Sequence, residues 1–90
     1  MIRLHVLATG LVQGVGFRWF VRETARRLDL AGWVSNRPDG RVEVMAEGHS
    51  DAIAVLREAV GEGPAGARVE AVDDLPDDGE ALPRPFTVKR

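Results

Sequence analysis

Gly10-Leu11-Val12-Gln13-Gly14-Val15-Gly16-Phe17-Arg18 is the stretch of sequence that decides the fold. Before it, Ile2 to Ala8 alternates in the period of a half-buried strand. After it, apolar residues from Phe17 to Leu28 recur at the spacing of one helix face. The stretch is therefore predicted to be the loop that joins the first strand to the first helix.

The glycines of this loop favour the binding of an anion. Gly14 and Gly16 can adopt positive φ and carry no side chain, so backbone N–H groups can converge on one point. The helix that follows adds its unpaired first-turn N–H groups and its positive dipole end. Arg18 can donate to two phosphate oxygens, whereas Arg22 starts about 6 Å further along the helix axis. The residues predict an oxyanion site at positions 13 to 18.

The loop does not match the common nucleotide-binding motifs. Gly10 and Gly14 do not frame the spacing G-x-x-x-x-G-K-[ST] of a P-loop. Trp19 stands where a dinucleotide-binding loop has its third glycine. Neither ATP nor NAD is therefore expected as a ligand.

A predicted hairpin follows the first helix. Leu30 to Asn36 is predicted to form the second strand, and Arg37-Pro38-Asp39-Gly40 has the residues of a tight turn. Arg41 to Glu47 is then the third strand, with Val42, Val44 and Ala46 on its buried side. The second and third strands should therefore pair in an antiparallel arrangement.

The second half of the chain adds one helix and two strands. Ser50 is predicted to be the N-cap of a helix from Asp51 to Val60, which Gly61 and Pro64 should end. The apolar stripe of this helix consists of Ile53, Leu56 and Val60.

The fourth strand is predicted at Ala67 to Val72, with Val69 and Ala71 on one face. A short edge strand is predicted at Phe86 to Val88. The acidic loop between them, residues 73–83, is expected to be a solvated, mobile connection and not a metal site, because nothing fixes its carboxylates toward a common point.

This βαββαβ order with a short extra strand is typical of the α+β ferredoxin-like fold, also called split βαβ. It predicts a two-layer sandwich with both helices on one face of an antiparallel sheet. The loop after the first strand and the end of the second strand then lie at the same sheet edge, about 10 Å apart with the third strand between them. The topology should therefore bring Arg18 and Asn36 toward one site.

Composition limits the classes of protein that fit. The chain has 90 residues, which predicts a single domain over residues 1–90, and it has no cysteine for a disulfide, a thiolate nucleophile or a thiolate metal site. Its formal net charge of −2 argues against a general nucleic-acid surface. No signal-type apolar core or membrane-spanning run is visible. We therefore expect a soluble, cytoplasmic, monomeric protein with no nucleic-acid or membrane partner.

Two longer motifs resemble the signatures of the acylphosphatase family. Gly10 to Phe20 resembles the motif G-x-V-Q-G-V-G-F-R-x-F, and Gly32 to Glu43 resembles G-[WY]-V-x-N-x-x-D-G-x-V-E. Members of this family are stand-alone domains of about this length with the same element order. The resemblance therefore spans nearly the whole chain.

This resemblance implies hydrolysis of the carboxyl–phosphate bond of small acyl phosphates, without a metal or a cofactor. Arg18 matches the phosphate-binding arginine of the family, and Asn36 matches its water-orienting asparagine. The family's phosphate loop matches the residues Gln13, Gly14, Val15, Gly16 and Phe17. The expected partner is a small-molecule acyl phosphate.

Two other functions share some of these features. A non-catalytic anion-binding regulatory domain would need Arg18 but not Asn36. An RNA-recognition domain of the same fold would need aromatic residues on the third strand, and Arg41 to Glu47 has none. The presence of both Arg18 and Asn36 favours the hydrolase.

The remaining candidate residues are assigned structural roles. His5 and His49 are expected at the surface, away from the loop. Trp19 and Trp33 are expected to pack in the core or at its rim. Arg22, Arg26 and Arg27 are expected to form a solvated face, with Arg22 at most a more distant charge for the phosphate.

Overall fold

A computed structural model describes residues 1–90 and contains two helices and five strands. In chain order these are β1 (Ile2–Leu11), α1 (Phe17–Arg27), β2 (Ala31–Asn36), β3 (Val42–Gly48), α2 (Ser50–Glu62), β4 (Arg68–Asp74) and β5 (Thr87–Val88). The predicted order of elements is confirmed, and so is the hairpin that joins β2 to β3.

The five strands form one sheet in the order β4-β1-β3-β2-β5. The pairs β1–β3, β1–β4 and β2–β3 are antiparallel, as the ferredoxin-like prediction requires. β5 is the exception, because it pairs with β2 in a parallel direction. The sheet is therefore mixed and not wholly antiparallel as predicted, since the connection from β4 crosses the sheet and brings the chain back alongside β2.

The main core lies between the two helices and one face of the sheet. The strand residues predicted to be buried, Val42, Val44 and Ala46, are fully inaccessible to solvent. The apolar face of α1 contributes Phe17 and Val21, and α2 contributes its predicted stripe of Ile53, Leu56 and Val60. Packing at this face holds the end of β1 and the start of α1 together. Neither helix has the length and apolar character that crossing a bilayer requires.

The boundaries of α2 differ from the prediction. Ser50 already has helical geometry, so the N-cap is His49, whose extended backbone precedes the first turn and whose side chain makes no capping hydrogen bond. The helix also continues through Gly61 and ends at Gly63, where φ is 71°. An internal glycine costs about 1 kcal/mol relative to alanine, and burial of Val60 in the same last turn offsets that cost.

β4 also departs from simple alternation. Thr9 of β1 pairs with Ala71, but the next residue, Gly10, pairs with Val69, so Glu70 is an extra residue in β4. Such a bulge shifts the pleat by one position. Val69 and Val72 therefore pack against the core while Ala71 is exposed, and the predicted face shared by Val69 and Ala71 is wrong.

The acidic connection between β4 and β5 crosses the sheet face that carries no helix. Arg3 of β1 holds it through two donors, Nη1 to Asp77 at 3.0 Å and Nη2 to the carbonyl of Glu80 at 2.6 Å, while its Nε donates to Glu47 of β3. The backbone N–H of Gly32 also donates to the carbonyl of Pro83. The connection is solvated as predicted, but these contacts tie it to the sheet at several points.

His5 lies beneath this connection, and its expected surface role is wrong. Only 10% of its side chain is exposed. Nε2 lies 2.6 Å from a carboxylate oxygen of Glu43, and Nδ1 lies 2.6 Å from the carbonyl oxygen of Pro76. Both neighbours are acceptors, so this geometry requires a proton on each ring nitrogen.

The surroundings of His5 favour its charged form. Burial lowers the pKa of the imidazole, but the hydrogen bonds to Glu43 and Pro76, with the negative charges of Glu43 and Asp78, outweigh burial. The pKa of His5 is therefore raised above its ordinary value of 6.5. A protonated His5 links β1, β3 and the acidic connection.

This linkage predicts a pH-dependent stability. Because the folded-state pKa is raised, the contribution of His5 is fully present below the unfolded-state pKa and is lost as pH rises through the folded-state value. We expect the free energy of unfolding, measured in urea from pH 6 to pH 9, to fall with rising pH. His5→Gln should flatten this decline, whereas the matched control His49→Gln should keep it. An equally steep decline in His5→Gln would contradict the prediction.

Candidate active site

The loop between β1 and α1 forms an open cradle of backbone donors. Gly14 and Gly16 both have φ of 76°, the left-handed geometry predicted for them. Gly16 is the N-cap of α1, and no acidic side chain lies in the first turn. The backbone N–H groups from Gly14 to Trp19 donate no hydrogen bond within the protein. The positive end of α1 is therefore available to an anion.

An open cavity of about 210 Å³ lies against this cradle. Its wall combines the loop, the first turns of α1 and the ends of β2 and β5, through Val12, Gln13, Gly14, Gly16, Phe17, Arg18, Trp19, Arg22, Asn36, Val88 and Arg90. Three of these side chains are arginines and none is a carboxylate. The cavity is thus a locally positive region in a chain whose formal net charge is −2.

The cavity brings together most of the residues that the sequence predicted for the site. Both Arg18 and Asn36 line it, as do four of the five predicted loop residues. Val15 is the exception, because its side chain packs against the core. Phe17 is also a core side chain, so its backbone N–H is the group it can offer to a ligand.

Arg18 is the cavity arginine in the first turn of α1. Its guanidinium forms no ion pair within the protein, whereas Arg22 is paired with Glu23 at 3.1 Å. Arg18 therefore has its full set of donors available, beside the unpaired backbone N–H groups. A planar guanidinium and a row of amide donors together match the oxygens of a phosphate group.

Asn36 is the last residue of β2 and has hydrogen-bonding capacity that the protein does not use. Its Oδ1 is buried and accepts no hydrogen bond. Leaving such an acceptor unpaired costs about 1–3 kcal/mol. Rotation about χ2 of asparagine is broad, so a small turn of the amide presents this oxygen to the cavity. A water molecule could donate to it there.

Gln13 connects the two halves of the site. Its side-chain Nε2 donates to the carbonyl oxygens of Arg37 at 2.8 Å and Arg41 at 3.0 Å. These carbonyls belong to the turn that follows Asn36, so the bond fixes the loop relative to the end of β2. The side-chain donors of Gln13 are therefore occupied, which leaves its backbone N–H as its donor for an anion.

Sequence reasoning missed some wall residues. Arg22 lies four residues after Arg18, and this spacing could have placed it on the same helix face instead of the solvated one. Trp19 is exposed at the cavity and is not a core residue, while Trp33 is buried as expected. Val88 and Arg90 reach the wall because β5 runs parallel to β2, which no sequence signal indicated.

Comparison with known proteins identifies the family. The family model described as Acylphosphatase matches residues 4–87. A protein named acylphosphatase from Salinibacter ruber is 54% identical over 89 residues, which cover 98% of this chain and 93% of that protein.

Solved structures agree with this match. The crystal structure of acylphosphatase from Bacillus subtilis superimposes with a TM-score of 0.87 at 38% identity and covers all of both chains. An acylphosphatase from Coxiella burnetii gives a TM-score of 0.81 at 39% identity over 97% of this chain and 90% of the other. The chain therefore belongs to the acylphosphatase family.

Proposed function

We propose that this chain hydrolyses small acyl phosphates with the cradle and Arg18 binding the phosphate and Asn36 orienting the attacking water. The single observation that supports this assignment is that Arg18, the open N-terminus of α1 and Asn36 line one cavity. A simple anion-binding domain needs only the first two. Membership in the acylphosphatase family also favours catalysis over the regulatory alternative.

The reaction needs little chemistry from the protein. The water oxygen forms a bond to phosphorus, and the bond between phosphorus and the carboxyl oxygen breaks with its electron pair leaving on the carboxylate. An acyl phosphate dianion and water thus give a carboxylate and dihydrogen phosphate. A carboxylate is a good leaving group, so no general acid is required at that oxygen, and positioning with charge stabilisation can supply the rate.

In this proposal Arg18 and the cradle carry the electrostatic part of catalysis. Negative charge is spread over the equatorial phosphoryl oxygens in the transition state. The guanidinium of Arg18 and the N–H groups of Gly14, Gly16 and Phe17 supply donors already oriented toward these oxygens. Because the donors are held by the helix and the loop, they need not reorganise as the charge develops.

Asn36 acts on the nucleophile. An amide has no useful basicity, so its role is to hold the water by accepting a hydrogen bond at Oδ1. The proton that the water loses passes to a phosphate oxygen of the substrate. Gln13 supports this geometry because it fixes the loop against the turn that follows Asn36.

The proposal also covers the domain organisation, the oligomeric state and the cellular location of the chain. We infer that residues 1–90 act as one domain, as a monomer in the cytoplasm, on a small-molecule substrate.

The proposal is tested by measuring phosphate release from benzoyl phosphate and acetyl phosphate in the presence of EDTA. We expect turnover well above spontaneous hydrolysis and no loss on adding the chelator. Inorganic phosphate should inhibit the reaction competitively. This inhibition should weaken as the salt concentration is raised, because the wall of the cavity is lined by arginines. Phosphate binding without turnover would instead support the regulatory domain.

A further inference from the structure

Trp19 is exposed in a way that the fold does not require. Of its surface, 62% is accessible, although it lies in the first turn of α1 between Arg18 and Phe20, which is partly buried against the core. The other tryptophan, Trp33, is 7% exposed. Trp19 therefore contributes little to the core, and its indole is a large apolar surface left in contact with solvent.

This indole borders the cavity. The wall residues outside the phosphate cradle and Asn36 are Val12, Trp19, Arg22, Val88 and Arg90. Val12 is fully buried, so its side chain belongs to the core, and Val88 is partly buried. Trp19 is thus the most exposed apolar side chain on the wall. It is also the wall's one accessible aromatic ring, since Phe17 is buried.

The position of Trp19 relative to Arg18 bears on the substrate. A phosphate held by the cradle and Arg18 keeps its acyl group one bridging oxygen away, so this group must lie against the remaining wall. Trp19 and Arg18 line the same cavity, so the indole borders the space next to the phosphate site. An aromatic acyl group can stack on the indole, whereas a methyl group offers too little surface to do so.

We propose that Trp19 is a specificity-determining residue that selects acyl phosphates with aromatic acyl groups. This inference rests on the proposed function, because it assigns the acyl side of the same site. Trp19 touches the substrate away from the bond that breaks. It therefore binds the ground state and the transition state alike, and its effect belongs in KM and not in kcat.

The test compares benzoyl phosphate with acetyl phosphate for the unmodified chain, Trp19→Ala and Trp19→Phe. We expect Trp19→Ala to lower kcat/KM for benzoyl phosphate about three- to tenfold, because KM rises while kcat stays the same. For acetyl phosphate, kcat/KM should change less than about twofold. Trp19→Phe should retain most of the preference. The inhibition constant of inorganic phosphate should stay constant in both variants, because the cradle is unchanged.

Val55→Ala is the matched control, since Val55 is an exposed apolar residue of α2 that does not line the cavity. It should leave both substrates unaffected. Equal losses for the two substrates in Trp19→Ala, or no loss for either, would overturn the role of Trp19 while leaving the hydrolase intact. An unmodified chain that hydrolyses neither substrate would overturn the proposed function itself, and the role of Trp19 with it.

Discussion

Replacing Arg18 with alanine is expected to lower kcat/KM for benzoyl phosphate by about 10³- to 10⁵-fold, the range known for arginines that act on a transferring phosphoryl group. The guanidinium has no ion-pair partner in the protein and lies in the turn whose backbone N–H groups are unpaired. Its removal takes away the side-chain half of the phosphate site and leaves only the backbone cradle. The rate of phosphate release at saturating and subsaturating substrate concentrations gives kcat and kcat/KM. Inhibition by inorganic phosphate should weaken in parallel.

Two variants make the interpretation of Arg18→Ala sharper. Arg18→Lys keeps the charge but loses the planar pair of donors, so its activity should lie between that of the unmodified chain and that of Arg18→Ala. Arg27→Ala removes an exposed arginine from the last turn of the same helix, outside the cavity, and should leave activity within about twofold. If Arg18→Ala retained full activity, the assignment of the phosphate site would be wrong.

Replacing Asn36 with alanine is expected to lower kcat by about 10²- to 10³-fold, as the loss of one oriented hydrogen-bonding group does in other active sites. Affinity for inorganic phosphate should change little, because Arg18 and the cradle remain. The fold should also persist, since the buried Oδ1 of Asn36 makes no hydrogen bond whose loss would destabilise it. Thermal unfolding, phosphate inhibition and kcat measured on one preparation separate these effects.

The neighbouring variant Ser35→Ala is the control for Asn36→Ala. It truncates a side chain on the opposite sheet face of the same strand, and it should keep kcat nearly unchanged. Loss of phosphate affinity with unchanged kcat in Asn36→Ala would contradict the water-orienting role. It would instead make Asn36 a phosphate ligand, and the second half of the proposed mechanism would need another residue.

The sequence was most informative where a structural feature depends on neighbouring residues. The change of hydrophobic period at the glycine loop located the junction of β1 and α1, and the turn residues 37–40 located the β2–β3 hairpin. Val42, Val44 and Ala46 were found at the core because strand alternation is a local property. The shared edge of Arg18 and Asn36 followed from element order alone.

Other features depend on contacts between distant residues, and the sequence did not reveal them. The parallel pairing of β5 with β2 is set by a long connection across the sheet, so Val88 and Arg90 were not expected in the cavity. The bulge at Glu70 arises only when β4 pairs with β1. Likewise, a glutamine in a loop gives no sign of the two carbonyls that Gln13 reaches.

The two outermost strands also influence how this protein behaves when it is crowded. A long, flat and uncovered strand recruits a matching strand from a neighbouring molecule, which is the first step toward fibrous aggregates. β4 is kinked by its bulge and presents Glu70 and Asp73, whose like charges repel a second copy of the same strand. At the opposite side, β5 offers only two residues. The bulge in β4 and the short length of β5 thus disfavour strand pairing between molecules.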